Sequence, residues 1–161
     1  MQHRLPFDHV FPYIGTDLDP RPLPRLAIHL IDPSGVAADT SVRPLVDSGA
    51  EYTAFDGVSL LHLGWSEDDI VRAADVTHPI YGLAAGLPPV VGYLHRVTCL
   101  IPLGRRFASL TLRAYITLPN TLSTPVLGRR DFLQQVDFGL IDAEQRFYLR
   151  FRDRSVLRDA W

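Results

Sequence analysis

The chain contains few of the residues that would indicate a disulfide framework or a nucleic-acid surface. It has one cysteine among 161 residues, and none of its 16 basic residues is a lysine. A lone cysteine cannot form a disulfide within the chain, so we expect Cys99 to be a small buried core residue. The formal net charge of −2 provides no broad cationic surface, so we expect no nucleic-acid partner.

Long apolar runs are also missing. The sequence has no stretch of about 18 consecutive apolar residues, and residues 1–6 lack the apolar core of a signal peptide. We therefore expect a soluble cytoplasmic protein with no membrane partner. The hydrophobic content of 47% and the chain length fit one globular domain with a sizeable core.

Several common catalytic patterns are absent. None of the six histidines has a metal-ligand spacing with another His, Cys or acidic residue. The sequence contains neither the Gly-x-Ser-x-Gly nucleophile elbow nor a glycine-rich phosphate loop between a strand and a helix. We therefore expect no metal ion and no organic cofactor.

The chain divides into three parts by composition. Residues 1–24 contain five prolines, which predict an extended arm that packs on its own domain or on a partner subunit. Residues 25–151 alternate between β patterns and turn signals. Residues 152–161 form a largely charged C-terminal tail.

The central part is predicted to be mostly β with two or three short helices. Ser66 followed by three acidic residues predicts a helix start, because its hydroxyl accepts from free amides and acids favour the positive helix end. The other predicted elements are two long strands over residues 90–102 and 107–118 joined as a hairpin, a short helix over 129–135 and a last hairpin over 136–151.

An Asp-Ser-Gly triplet, Asp47 to Gly49, follows an apolar strand-like segment. Such a turn exposes a carboxylate, and its amides can donate to that carboxylate. Gly49 allows a second backbone to approach without meeting a Cβ. About eighty residues later, an apolar strand ends in Leu127 and Gly128, and this glycine can pass close beneath the turn.

Together these two segments resemble the retropepsin-like aspartic protease family, which includes the retroviral proteases. The similarity spans residues 25–151, and residues 128–133 match the Gly-Arg-Arg-Asp-Phe-(Phe/Leu) run that bacterial members often carry. The resemblance implies a retropepsin-like closed β-barrel that corresponds to one half of an acid protease. The residues with structural roles in it are Leu127, Gly128 and Arg129.

The resemblance also implies peptide-bond hydrolysis by two Asp carboxylates about 3 Å apart that share one proton. This chain has one Asp-(Ser/Thr)-Gly triplet, since Asp56-Gly57 lacks the hydroxyl residue. The second carboxylate must then come from a second copy, which makes the expected enzyme a symmetric homodimer acting on a polypeptide. The implied catalytic turn consists of Asp47, Ser48 and Gly49.

A small, apolar, turn-rich segment at residues 81–89 occupies the place of the family's flap, the loop that closes over the cleft. Gly82 and Gly86 would act as hinges of such a loop. The implied substrate-binding residues are Ala50, Tyr81, Gly82, Leu83, Ala84, Ala85 and Gly86.

Two other interpretations of the same pattern stay open. A catalytically inactive dimer of this fold would bind an extended peptide by strand addition without cutting it. Alternatively, the dimer forms only within a larger assembly.

Overall fold

The computed structural model describes residues 8–17, 19–31, 35–81, 88–152 and 157–159, and these are mostly β. The described helices are α1 (Val58–Leu61) and α2 (Glu67–Arg72), with a short 3-10 turn at Asp142–Glu144. The strands are β1 (His9–Pro12), β2 (His29–Ile31), β3 (Leu45–Val46), β4 (Thr53–Phe55), β5 (Thr77–Ile80), β6 (Val90–Leu103), β7 (Arg106–Thr117), β8 (Val126–Leu127), β9 (Val136–Ile141), β10 (Arg146–Phe151) and β11 (Leu157–Asp159).

These strands form two sheets. The larger has the order β2-β6-β7-β4-β8-β3, with β5 paired to β6 and β11 paired to β7. The smaller has the order β1-β10-β9. The main path of the larger sheet ends at β2 and β3, so the described ladders do not by themselves close it into the barrel that the resemblance implies.

The long hairpin of β6 and β7 is the centre of the larger sheet. Its twelve antiparallel residue pairs confirm the hairpin predicted from the two β runs. The strands reverse at Gly104, whose φ of +70° is favourable only for glycine, as the first position of a two-residue hairpin turn requires. This hairpin gives the other strands of the sheet a common scaffold.

Burial along β6 changes phase near its middle. Val97, Cys99 and Ile101 face the main core, whereas Leu94 packs in a second cluster with Tyr115. Both faces of the sheet are buried at this point, and Leu122 of the loop before β8 belongs to the second cluster. Cys99 is fully buried, as predicted for a lone cysteine.

Helix α2 begins as its sequence predicts. Ser66 Oγ accepts from the Asp69 amide, and the Asp69 carboxylate accepts from the Ser66 amide, so each satisfies a free N–H of the first turn. The hydrogen bonds from Ser66 lower the pKa of Asp69, which keeps it ionised at the positive helix end. The helix ends at Arg72, and the Asp75 amide then donates to Leu94 O at 3.0 Å as the chain joins the sheet.

The proline-rich arm packs on its own chain in this structure. Strand β1 is an edge strand beside β10, and the ring of Phe11 stacks on Phe147 at 5.1 Å between centroids. The phenol of Tyr13 donates to the Asp142 carboxylate. Of the four described prolines of this arm, Pro12 ends β1 and the other three lie outside any strand, which fits their lack of a backbone donor.

Two regions differ from the sequence prediction. The segment Arg129–Leu133 is an irregular turn and not the regular helix expected over residues 129–135, since Arg130 and Asp131 have non-helical backbone angles. In the C-terminal tail, β11 adds to the edge of β7, which its charge pattern did not predict. Within the described residues, no helix is long and apolar enough to cross a membrane.

Candidate active site

The Asp47 turn is held on a short parallel strand pair. Strand β3 lies parallel to β8, with Val46 opposite Leu127, and the Asp47 amide donates to Leu127 O at 3.1 Å. On the other side, the Val46 amide donates to Pro24 O at 2.8 Å. Backbone hydrogen bonds from two segments therefore fix the chain immediately before the carboxylate.

The Asp47 carboxylate is half-buried and held by its own turn. Its Oδ1 accepts from the Gly49 amide at 2.7 Å, and Ala50 N donates to Asp47 O at 3.3 Å to close the turn. Ser48 and Gly49 are exposed. No other hydrogen bond reaches this carboxylate from the residues that the structure describes, so Oδ2 is available to a water or a ligand.

Gly128 passes directly against the far side of this turn. A Cβ at this position would lie 2.3 Å from Tyr52 O and 3.0 Å from Ala50 O, so only glycine fits. The Gly128 amide donates to the buried Thr53 Oγ1 at 3.2 Å. Sequence analysis missed Thr53, although a threonine between Tyr52 and Ala54 in an apolar run is a signal that its hydroxyl bonds a nearby backbone group.

The residues after Gly128 attach to the chain that follows the turn. The amides of Arg129 and Arg130 donate to Ala50 O and Glu51 O, each at 2.9 Å. These bonds pull the backbone into an extended course, which is why a helix does not start here. Asp131 then reverses the chain with φ of +67°, a strained value for a residue with a Cβ.

The side chain of Arg130 adds an ion pair to these backbone bonds. Its Nη2 lies 2.9 Å from Glu51 Oε1, and its guanidinium lies 5.1 Å from the centre of the Tyr52 ring. Both charged side chains are about half exposed, so solvent screens the pair. Glu51 is the acidic residue nearest to Asp47 in sequence, and the ion pair with Arg130 engages its carboxylate. The sequence pattern did not indicate Glu51 as part of the site.

A cavity of about 400 Å³ opens beside the Asp47 carboxylate. The turn, β4, β5 and β8 line it, with the residues Asp47, Gly49, Ala50, Glu51, Tyr52, Ala54, His78, Pro79, Ile80, Tyr81 and Val126. Ala50 and Tyr81 line this cavity, and their role in substrate binding stays a prediction. Gly82, Leu83, Ala84, Ala85 and Gly86 lie outside the described residues.

Aromatic rings form one wall of this cavity, and the sequence carried no clear signal for them. The Tyr52 ring meets Tyr115 edge-on at 5.1 Å and His78 at 5.9 Å between centroids. Burial raises the pKa of Tyr115 above its ordinary value, so its phenol stays protonated and can only donate or accept a neutral hydrogen bond near pH 7. Such a wall favours an apolar or aromatic side chain of a ligand.

Asp56, the carboxylate of the second Asp-Gly pair, is fully used in the fold. It accepts from the amides of Val58, Asn120, Thr121 and Leu122 at 2.9 to 3.0 Å. These bonds tie the end of β4 to the loop that leads into β8. Asp56 is therefore a structural residue and cannot act as a second catalytic carboxylate.

Of the two acidic side chains among the described residues that line this cavity, Asp47 is the one that lacks an ion pair. Glu51 is paired with Arg130, Asp56 accepts four amides, and the described part of the chain holds no group of three or more His, Cys, Asp or Glu side chains placed to bind a metal ion. Asp47 can accept a proton or a hydrogen bond by itself. Chemistry that needs two free carboxylates at this cavity needs a second one that its described lining does not supply.

No protein-family model and no curated protein sequence matches the chain. Among solved structures, its fold is similar to the crystal structure of a retropepsin-like aspartic protease from Rickettsia conorii, with 15% sequence identity and a TM-score of 0.48. The alignment covers 77% of this chain and 89% of that chain. At such an identity and TM-score, the similarity does not indicate which residues of this chain react.

Proposed function

We propose that the chain is an aspartic endopeptidase that acts as a homodimer, with one Asp47 carboxylate from each subunit. The observation that carries the proposal is the half-exposed Asp47 carboxylate, which is fixed at the tip of a turn and free at Oδ2. A site of this kind is useful for hydrolysis because its geometry is set before the substrate arrives.

The surroundings of Asp47 support a second subunit and not a second acid from the same chain. The two acidic side chains that follow Asp47 most closely in sequence, Glu51 and Asp56, are both engaged by other groups. Ser48 and Gly49 are exposed beside the carboxylate, so a symmetry-related turn can approach closely across a two-fold axis. The proposed dimer axis therefore passes between two Asp47 turns.

In the proposed mechanism, two carboxylates about 3 Å apart share one proton. The ionised carboxylate takes a proton from a bound water, and the water oxygen attacks the peptide carbonyl carbon. The protonated carboxylate donates its proton to the carbonyl oxygen. The carboxyl group that took the proton from water then donates it to the amide nitrogen as the C–N bond breaks, and a hydroxyl of the intermediate returns its proton to the other carboxylate as the new carboxylic acid and the amine leave. These steps use no metal ion and no organic cofactor.

The cavity beside Asp47 provides a place for one substrate side chain. Its walls are the Tyr52 ring, the His78 ring and the apolar side chains of Ile80 and Val126. We propose that an extended polypeptide lies beside β5, with an apolar or aromatic side chain in this cavity, and that residues 81–89 act as the flap.

We further propose that the larger sheet is the retropepsin-like closed barrel. Its end strands, β2 and β3, are connected through isolated bridges between Arg25 and Leu45 and between Ile28 and Val42. These bridges lie where a closed barrel would join its first and last strands.

The test compares the wild type with Asp47→Asn and with the matched control Asp68→Asn. Asp68 is an exposed acid on α2 that pairs with Arg72 and does not line the Asp47 cavity, so the same chemical change there should leave activity unchanged. The assay is cleavage of a labelled unstructured protein in mild acid, with light scattering to measure oligomeric state. We expect a dimer whose activity is lost in Asp47→Asn and kept in Asp68→Asn.

Two results would count against the enzyme. Cleavage that persists in Asp47→Asn would assign hydrolysis to another group or to a contaminant. A dimer that binds peptide with equal affinity in the wild type and Asp47→Asn, and cuts in neither, would replace the proposal with the peptide-binding module.

A further inference from the structure

A second and larger cavity, of about 740 Å³, lies outside the Asp47 site. Its walls come from the proline-rich arm between Thr16 and Arg25, from residues 40–43, from α1 with His62, and from residues 123–125. None of these residues lines the cavity beside Asp47. The volume is within the range of roughly 300 to 1,000 Å³ that is typical of small-molecule sites.

A buried arginine stands in the wall of this cavity. The side chain of Arg25 is 3% exposed, and its Nη2 lies 3.3 Å from Asp19 Oδ2. The buried Nε of Arg25 has no hydrogen-bond partner among the residues that the structure describes. Among the described residues, the guanidinium of Arg25 therefore makes one long hydrogen bond, whereas its five N–H donors can make several.

The acid beside Arg25 does not neutralise it fully. Asp19 is held by Arg21, whose Nε and Nη2 lie 2.9 and 3.1 Å from its two oxygens. These hydrogen bonds lower the pKa of Asp19, so one ionised carboxylate serves two guanidinium groups. A buried charge with so little compensation is costly, and an oxyanion placed on its fork would relieve that cost.

The remaining lining suits an anion with a small body. The hydroxyl group of Thr16 donates to Asp19 O at 3.4 Å. Five further residues with hydroxyl groups line the cavity, namely Thr40, Ser41, Ser59, Ser123 and Thr124. Three arginines against two aspartates leave an excess of positive charge, with Arg43 exposed at the surface. Val42, Val58 and Pro125 add apolar surface for a short hydrocarbon group.

We propose that this cavity binds a small organic anion whose carboxylate or phosphate oxygens lie on the Arg25 guanidinium. The hydroxyl groups donate to the remaining oxygens, and the apolar side chains contact the body of the ligand. The proposal does not depend on peptide hydrolysis at Asp47.

The cavity is coupled through the backbone to the strand that carries Asp47. Arg25 bridges Leu45, Pro24 O accepts from the Val46 amide, and the Leu45 amide donates to Pro125 O at 2.9 Å. A ligand that contacts both the arm and residues 123–125 would therefore fix the two segments that hydrogen-bond to β3. Binding should raise the melting temperature and should restrict motion of the Asp47 turn.

The experiment titrates the full chain with two ligands, inorganic phosphate and sodium benzoate, against sodium chloride of equal ionic strength. The readouts are melting temperature and backbone amide shifts by NMR. We expect a saturable rise in melting temperature with at least one of the two anions, and amide shifts that centre on residues 40–43 and 123–125. A response to phosphate alone indicates a phosphate-bearing ligand, and a response to benzoate indicates a carboxylic acid.

Three variants assign the binding to the proposed residues. Arg25→Gln should weaken the anion roughly tenfold or more, because it removes a charge-assisted fork. Arg43→Gln changes an exposed side chain that the fold tolerates, and it should weaken the anion roughly threefold. Arg105→Gln, an equal charge change at the hairpin tip, should leave the affinity unchanged.

The proposal fails if neither anion gives a saturable response above the sodium chloride control. It also fails if the amide shifts centre elsewhere, or if Arg43→Gln and Arg105→Gln weaken binding equally. If Arg25→Gln does not fold, the NMR map and the Arg43→Gln comparison decide the question.

Discussion

The substitution Gly128→Ala tests the packing that supports the Asp47 turn. The added Cβ would lie 2.3 Å from Tyr52 O, 2.5 Å from Tyr52 C and 3.0 Å from Ala50 O. An ordinary carbon contact is about 3.5 Å, so the turn and β8 must separate by about 1 Å. Because the opposing atoms are backbone, no side-chain rotation can relieve the collision.

The expected cost follows from these contacts. Overpacking against a rigid neighbour costs about 3 kcal/mol. Replacing glycine by alanine returns roughly 0.4 to 1 kcal/mol by restricting the unfolded chain. The φ of −93° at Gly128 suits alanine, so no backbone strain is added. We expect a net destabilisation of about 2 kcal/mol or more, with loss of any activity that depends on the Asp47 turn.

The assay is denaturant unfolding at one fixed protein concentration, with Gly104→Ala as the control. Gly104 has φ of +70°, and no atom lies within 4 Å of the position that a Cβ would take. Alanine there would therefore have a strained backbone but no steric clash. That control should cost about 1 kcal/mol and leave the Asp47 turn intact. The packing argument is refuted if Gly128→Ala is as stable as the wild type or less destabilised than Gly104→Ala.

Three further predictions concern other parts of the fold. Asp56→Asn should destabilise the protein by about 3 kcal/mol. The asparagine side chain would turn an NH2 group toward backbone N–H donors, and the charge-assisted hydrogen bonds of the carboxylate would be lost. An unchanged denaturant midpoint would contradict this. Arg130→Gln should cost less than about 1 kcal/mol in the same assay, because its pair with Glu51 is half exposed, and a larger loss would show that solvent does not screen the pair. Burial raises the pKa of the Cys99 thiol to about 12, so a thiol reagent at pH 8 should label the protein only on unfolding, and rapid native labelling would refute the burial. The same pKa shift stabilises the fold below about pH 9, and this stabilisation is lost as the pH rises through about 12.

Features set by local sequence were predictable in this chain. The β6–β7 hairpin follows from two long β runs around Gly104, and the start of α2 follows from Ser66 and the acids after it. Each depends on residues close together in sequence, where turn chemistry and capping decide the backbone. The extended course of the arm at β1 similarly fits its proline content, and Pro12 ends this edge strand.

Features that depend on distant partners were not predictable. The irregular turn after Gly128 forms because the amides of Arg129 and Arg130 bond Ala50 O and Glu51 O, which no local pattern encodes. The burial of Arg25 depends on how the proline-rich arm folds back over β3. The aromatic wall around His78 similarly requires this residue of β5 to meet the ring of Tyr52, a packing relation that the sequence does not specify.

A mixing experiment tests most directly whether two Asp47 carboxylates form one site. Wild-type and Asp47→Asn chains are unfolded together, refolded at constant total concentration, and assayed across the range of wild-type fractions. If each site needs both carboxylates, activity follows the square of the wild-type fraction, so an equal mixture keeps about one quarter of the activity. Activity that stays proportional to the wild-type fraction, about one half in the equal mixture, would contradict the shared site.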